Sequence, residues 1–188
     1  MSASYDDFNT AFANVVGLEG KYSCDENDPG NWTGGAVNKG ELKGTMYGIS
    51  AAAYPQLDIA SLTLQKAKAI YLTDYWNKLR CSTLPSPVAI ALFCEGVNLG
   101  VSGAAKVFQR SLKDQQIDGN IGQITVGLAT SQPPKEVLCN FLTQCAYDYT
   151  QMANFKIDGK GWLSRVIKTA VEAQLTPAEN VGITGVKA

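Results

Sequence analysis

The sequence predicts a mostly helical chain of the α+β class, with one small irregular or β-containing region. Its 188 residues are 45% hydrophobic, which suits one compact domain or two small lobes. Apolar residues recur at helical spacing through most of the chain. Residues 22–47 differ, because glycine, aspartate, asparagine and lysine dominate there and large aliphatic side chains are few. This composition is typical of turns and a short irregular hairpin, and we expect a site in this region.

Two helices are predicted in the first half of the chain. The spacing of Phe8, Phe12 and Val15 indicates a first helix from about Tyr5 to Leu18. Thr63 is expected to cap a second helix, since threonine is a favoured residue before the first helical turn. The apolar positions of that second helix are Ala67, Ile70, Tyr71 and Tyr75.

Four more helices are predicted in the second half from their start signals. Ser86-Pro87 is expected to start a buried helix through Phe93, and Ser102 to cap another through Leu112. The last two are a long helix from Pro133-Pro134 to about Met152 and a helix after Gly161 that carries Leu163, Val166, Ile167 and Val171.

A weak shift in composition near Thr83–Pro87 predicts a boundary between two parts of the chain. Residues 1–86 would then carry the chemistry, and residues 87–175 would form a second helical part. Residues 176–188 are expected to be a loosely held tail.

The chain contains no histidine, and this excludes several classes of enzyme. Ser-His-Asp hydrolases, Cys-His peptidases and His-ligated zinc amidases all need imidazole as a base or a ligand. Carboxylates must therefore carry any acid-base chemistry, and we expect no metal and no cofactor. The five cysteines are odd in number and form no CxxC pair, which favours free buried thiols made in a reducing compartment.

The amino terminus and the charge indicate where the chain accumulates. Met1–Asp7 has neither a basic region nor an apolar core, so we expect no signal peptide, no integral membrane span and a cytoplasmic product. The net charge of -1 argues against a general nucleic-acid binder.

Glu19 is the first candidate for catalysis. It continues the apolar face of the first helix, where desolvation raises the pKa of a carboxyl group and keeps it protonated. A buried carboxylic acid beside an open loop is a candidate proton donor. The alternative is a structural carboxylate that caps the helix end or pairs with Lys21.

A second acidic group is expected in the loop that follows. Cleavage of a glycosidic bond uses one protonated carboxylic acid and a second carboxylate or an oriented water on the opposite face of the sugar. Asp25, Glu26 and Asp28 all lie in this loop, and Thr45 adds a hydroxyl at its far end. For Asp28 the alternative is an ordinary turn that its side chain caps, and for Thr45 it is a loop hydrogen bond.

Four other residues are candidates for substrate binding. Trp32 and Tyr47 could stack on sugar rings. Glu95 could be a third carboxylate at the site, and Asn98 could bind an acetamido group, although a structural hydrogen bond is an alternative for both. Lys106, Arg110 and Lys113 form a predicted basic stripe that could meet anionic polymers or remain a solvated helix face.

These motifs, taken in order, resemble glycoside hydrolase family 108, the phage and prophage muramidases, and more distantly the phage-type lysozymes. The resemblance covers roughly residues 8–170. In the first half it rests on Glu19-Gly20-x-Tyr22, Asn27-Asp28-Pro29-Gly30, Thr45-x-Tyr47-Gly48-Ile49, Asp74-Tyr75-Trp76 and Leu79-Arg80-Cys81. In the second half it rests on Phe93, Val97-Asn98-Leu99-Gly100, Phe108-Gln109-Arg110-Ser111-Leu112 and Asp118-Gly119-x-Ile121-Gly122-x-x-Thr125, which resemble the peptidoglycan-binding segment of that family.

The resemblance implies a lysozyme-like fold whose irregular lobe forms a cleft, with Glu19 as the acid and Asp28 and Thr45 at the site. Lys21 departs from the usual second glycine of the first motif, and the loop Asn31–Gly44 is longer than in a compact phage lysozyme.

The implied function is that of a monomeric endolysin. It would hydrolyse the β-1,4 bond between N-acetylmuramic acid and N-acetylglucosamine in bacterial peptidoglycan, with residues 87–175 binding the wall. It would stay in the host cytoplasm until a holin releases it to the cell wall in the periplasm. A lytic transglycosylase and a non-enzymatic protein that binds the wall or assists secretion are the alternatives.

Overall fold

The computed structural model describes residues 2–17 and 21–175. Within these ranges the chain forms seven α-helices and one small antiparallel sheet, which confirms the predicted mostly helical class. Glu19 and the predicted tail 176–188 lie outside the described residues. The helices are α1 Tyr5–Val16, α2 Leu64–Tyr71, α3 Ser86–Leu99, α4 Val101–Ser111, α5 Gln123–Thr130, α6 Pro134–Thr150 and α7 Phe155–Leu175, and the strands are β1 Thr45–Met46 and β2 Ile49–Ser50.

The chain divides into two compact units, and the division does not follow the predicted boundary near residue 86. Residues 12–74 form one unit, called here the loop unit. The described residues up to Ala11 and from Tyr75 onward form the other, called here the helical unit. The division falls within α1 and within the π-helical segment Leu72–Asn77, so both junctions are helical.

The helical unit is organised around α3. Its residues from Val88 to Gly96 are all buried, and α3 packs against α4, α6 and α7. Three aromatic rings pack together in this core, since Phe8 and Phe93 both contact Trp76 at ring-centroid distances of 5.5 and 5.7 Å. A helix that is apolar on every face is stable only in such a central position.

One of the three predicted hydroxyl caps is present in the structure. Thr63 caps α2 as predicted, since its hydroxyl accepts from the N–H of Lys66. Ser86 and Ser102 do not cap their helices, because the capping positions are Pro85 and Gly100 and neither contributes a side-chain hydrogen bond.

The last two corrections concern helices in the second half. Helix α5 was not predicted, because β-branched residues and Gly127 lower the helix propensity of its eight residues. Helix α7 starts at Phe155, well before the predicted start after Gly161. A Cβ on Gly159 would lie 2.5 Å from the ring of Phe155, so this glycine packs within the helix and does not end it.

The loop unit is built on a tight hairpin. Tyr47 and Gly48 have φ of 52° and 76° and join β1 to β2 in a two-residue turn, which is the geometry favoured between antiparallel strands. Thr45 pairs with Ser50 across this hairpin and with Ser23 on its other side. The backbone of Thr45 is therefore fixed from both sides.

The cysteines and the helix lengths bear on two further expectations. All five cysteines are free; Cys81, Cys94 and Cys145 are buried, as predicted, whereas Cys24 and Cys139 are exposed. No helix in the described part of the chain combines the length and the apolar character that a membrane crossing would require.

Candidate active site

Asp28 caps the short 3-10 helix Pro29–Asn31. One of its carboxylate oxygens, Oδ1, accepts from the N–H of Gly30 at 2.8 Å, and proline occupies the first helical position. The capped turn, which is the alternative role predicted for Asp28, is therefore present. The side chain is exposed, and no other described residue bonds its second oxygen. The same carboxylate can thus hold the turn with one oxygen and accept a proton with the other.

Asn31, which is not among the residues predicted from the sequence, connects Asp28 to Thr45. Its side chain is 0% exposed. The amide Nδ2 donates to the carbonyl of Asp25 at 2.9 Å, and Oδ1 accepts from the Thr45 hydroxyl at 2.8 Å. The backbone N–H of Asn31 donates to the carbonyl of Asp28 at 3.1 Å. In the sequence, only its position directly after the Asn27–Gly30 motif could have indicated a role for Asn31, and that indication is weak.

Thr45 is half-buried, and it uses its hydroxyl hydrogen on Asn31. The loop hydrogen bond considered as its alternative role is therefore present as well. The residue before it, Gly44, has φ of 80°, and a Cβ there would lie 2.5 Å from the carbonyl oxygen of Ser23. Only glycine fits this close approach of two backbones, and the approach places Thr45 beside Ser23, with which it forms an isolated β-bridge.

Trp32 and Tyr47 are half-buried, and the polar groups of both hold the loop. The indole N–H of Trp32 donates to the carbonyl of Glu26 at 2.8 Å. The carbonyl of Tyr47 accepts from the hydroxyl of Tyr71 at 3.1 Å. Both rings keep an accessible part, so stacking on a sugar stays a prediction for each of them.

Glu95 does not have the exposure that its predicted role in substrate binding requires. Its side chain is 0% exposed within the helical unit, and its Oε2 accepts from the Tyr149 hydroxyl at 2.8 Å. Burial raises the pKa of this carboxyl group above its ordinary value. The structural hydrogen bond is the role that the structure shows. Asn98 is exposed near the end of α3, and its predicted binding of an acetamido group remains a prediction.

The predicted basic stripe is not a single helix face. Lys106 and Arg110 are exposed on α4, but α4 ends at Ser111, and Lys113 follows it with φ of 56°. Arg110 pairs with Asp148, so its charge is largely offset. Lys106 and Lys113 remain as solvated cations.

The segment Asp118–Thr125, which belongs to the second-half motifs of the family resemblance, borders a cavity of about 340 Å³ in the helical unit. Most of the residues that line this cavity are polar. Gln109, which is buried, shapes this cavity because it holds the Asp118 carboxylate at 2.8 Å and the N–H of Gly119 at 2.9 Å. The Thr125 hydroxyl donates to Asp114 at 2.7 Å on another side. In the described part of the chain, no cluster of three acidic, histidine or cysteine side chains could hold a metal ion.

Comparison with known proteins identifies the loop unit and the start of the helical unit. The family model for glycosyl hydrolase 108 matches residues 12–100. Residues 12–100 are a glycosyl hydrolase 108 domain. The matched range contains Asp28, Asn31 and Thr45, and also Glu19, which lies outside the described residues.

A solved structure is similar over nearly the whole length of the chain. The structure of Brucella abortus SagA matches with a TM-score of 0.77 and 25% sequence identity, covering 94% of this chain and 99% of that chain. A search of curated proteins gave no significant match.

The glycosyl hydrolase 108 domain determines the class of reaction. The chain is a glycoside hydrolase with a lysozyme-like fold, and its substrate is peptidoglycan. The predicted resemblance, fold class and enzyme class are confirmed.

Proposed function

We propose that this chain is a phage or prophage endolysin that hydrolyses the β-1,4 bond between N-acetylmuramic acid and N-acetylglucosamine, and so lyses the bacterial host. The observation that carries the proposal is the linked set of Asp28, Asn31 and Thr45 inside a glycosyl hydrolase 108 domain. An exposed carboxylate and a fixed hydroxyl on one rigid loop are the groups that an attacking water requires.

In the proposed mechanism Glu19 protonates the glycosidic oxygen as the bond breaks. Asp28 accepts a proton from the attacking water through its unbonded oxygen, while its other oxygen holds the turn. Thr45 fixes the direction of that water. Trp32 and Tyr47 supply ring surface for the glycan.

Residues 87–175 are proposed to bind the wall. The cavity beside Asp118 supports this role, because most of its lining residues are polar and because carboxylates and amides can bind the hydroxyls and acetamido groups of sugars. The enzyme would act as a monomer and remain in the host cytoplasm until a holin permeabilises the membrane.

The test is mass spectrometry of the soluble fragments that the purified enzyme releases from purified peptidoglycan. Hydrolysis at the proposed bond gives fragments with a reducing N-acetylmuramic acid end. Glu19→Gln should lower the rate by about 100- to 10,000-fold, because the amide cannot donate the proton. Glu26→Gln is the matched control, since Glu26 is an exposed carboxylate of the same loop, and this variant should keep the parent rate.

Three results would contradict the proposal. Clearance at the parent rate by Glu19→Gln would remove Glu19 from the mechanism. Fragments that end in 1,6-anhydro sugars would indicate the lytic transglycosylase instead. Reducing N-acetylglucosamine ends would show that the other glycosidic bond is cut.

A further inference from the structure

The orientation of the Asn31 side chain determines what the Thr45 hydroxyl can do. A backbone carbonyl can only accept a hydrogen bond, so the Asn31 group that lies 2.9 Å from the carbonyl of Asp25 must be the NH₂. The oxygen of the same amide therefore faces Thr45. Since that oxygen can only accept, the Thr45 hydroxyl must donate its single hydrogen to it, at 2.8 Å.

Once its hydrogen is used in this way, Thr45 can only accept further hydrogen bonds. A hydroxyl has two acceptor lone pairs in addition to its one donor hydrogen. The hydroxyl is half-buried and its backbone is fixed by Ser23 and Ser50, so the lone pairs have a defined direction. Without Asn31 the hydroxyl could rotate and donate to a neighbouring water.

We propose that Asn31 is a positioning residue that makes Thr45 an acceptor for the attacking water. This inference rests on the proposed function. The water would donate one hydrogen to Thr45 and the other to the unbonded oxygen of Asp28. Both hydrogens are then directed away from the sugar, and an oxygen lone pair faces the anomeric carbon.

The chemical step balances with these groups. The water oxygen forms a bond to the anomeric carbon while the bond from that carbon to the glycosidic oxygen breaks. The leaving oxygen keeps the electron pair of that bond and takes the proton of Glu19. The proton that the water loses goes to the Asp28 carboxylate, and Thr45 exchanges no proton.

Burial explains why Asn31 suits this role better than an exposed residue. Its amide is shielded from solvent, so water does not compete for either of its hydrogen bonds. The backbone carbonyl of Asn31 also accepts from the N–H groups of Lys43 and Gly44, at 2.9 and 3.0 Å, and these two residues immediately precede Thr45. One residue thus fixes both the strand position and the hydroxyl direction of Thr45.

The test is a double-mutant cycle with Asn31→Ala and Thr45→Val, in which kcat and KM are measured on soluble glycan fragments. Each single variant should lower kcat on the order of 10- to 100-fold, because misplacement of the reacting group is costly, and should leave KM within about twofold. In the Thr45→Val background, Asn31→Ala should change kcat by less than about twofold, because its effect acts through Thr45.

Thr33→Val is the matched control for general loosening of the loop. Its hydroxyl accepts from the N–H of Glu41 at 2.9 Å, so the variant also removes a threonine hydrogen bond from the same loop. We expect its kcat to stay within about twofold of the parent value.

The outcomes separate this inference from the proposed function. If Asn31→Ala lowers kcat equally in both backgrounds, Asn31 is structural and the inference is wrong. If Thr45→Val keeps the parent kcat, Thr45 has no role in the proposed mechanism, and the inference about Asn31 is wrong as well. If Asn31→Ala does not fold, Asn31→Asp takes its place in the cycle, because it loses the NH₂ group that donates to the Asp25 carbonyl. Its kcat should then fall in the parent background and change by less than about twofold in the Thr45→Val background, and an equal fall in both would overturn the inference.

Discussion

Removal of the Tyr149 hydroxyl should destabilise the helical unit. This hydroxyl donates to Glu95 Oε2 at 2.8 Å, and the side chain of Glu95 is 0% exposed. The other carboxyl oxygen, Oε1, finds no partner among the described residues. Tyr149→Phe would keep the ring, which stacks on Trp162 at a centroid distance of 5.4 Å, and would remove only the donor.

The magnitude follows from the cost of a buried polar group without a partner. Tyr149→Phe leaves Oε2 of Glu95 without its hydrogen bond, and this should lower the free energy of unfolding by about 1 to 3 kcal/mol. For a chain of this size each kcal/mol lowers Tm by about 2 to 4 °C, so the expected decrease in Tm is about 2 to 12 °C. Tyr147→Phe is the matched control, since Tyr147 lies on the same helix and is 60% exposed.

The same pair predicts how stability depends on pH. Burial raises the folded-state pKa of Glu95, while the Tyr149 hydrogen bond and the charge of Arg165 oppose this shift. The folded protein therefore holds this proton more tightly than the unfolded chain, whose glutamate pKa is about 4.3. The stabilising contribution is complete below that value and is lost as pH rises through the higher folded-state pKa. Glu95→Gln cannot ionise, so it should remove this dependence.

Thermal unfolding followed by circular dichroism at several pH values from 4 to 8 would test both statements. A Tm for Tyr149→Phe equal to that of Tyr147→Phe would refute the argument about the unbonded oxygen. If Glu95→Gln kept the pH dependence of the parent protein, the dependence would arise from other groups.

Two further predictions concern catalysis and wall binding. Asp28→Asn keeps an oxygen that can cap the turn but loses the negative charge of the carboxylate. We expect its kcat to fall by about 100-fold or more, with Tm and KM unchanged. A kcat equal to that of the parent enzyme would exclude Asp28 as the base. Replacing Lys106 and Lys113 with glutamine should reduce sedimentation with purified sacculi, most clearly at low salt, whereas Arg110→Gln should do less because Arg110 is paired with Asp148. Equal sedimentation of the double variant and the parent at low salt would show that these lysines are only solvated side chains.

The sequence predicted those parts of the fold that depend on neighbouring residues. The Thr63 cap and the proline start of α6 act within one turn of their helices, and both were found as expected. The starts of α4 and α7 depended on packing and backbone conformation. Gly100 has φ of 74° before α4, and Gly159 lies under the ring of Phe155 in α7. Sequence spacing carries no signal for either arrangement.

The candidate site shows the same limit. Asp28 and Thr45 could be selected because a carboxylate and a hydroxyl in a loop of turns have recognisable chemistry. Asn31 could not, because its role depends on Thr45, a residue 14 positions away. An asparagine beside a Pro-Gly turn is an ordinary loop residue until its burial and its partners are known.

Asn31 and Glu95 are both buried polar residues, and their hydrogen bonding explains why one points to function and the other to stability. Each polar group of the Asn31 amide bonds to the loop, and one of those bonds ends on a hydroxyl that is still partly accessible. These hydrogen bonds compensate for the burial of the amide. The amide also orients the Thr45 hydroxyl, which is accessible enough to bind a ligand. Glu95 ends on Tyr149, which is itself buried, and one oxygen stays unbonded. Glu95 therefore orients no accessible group. Its replacement should change the stability of the helical unit and should not change the direction of a bound water.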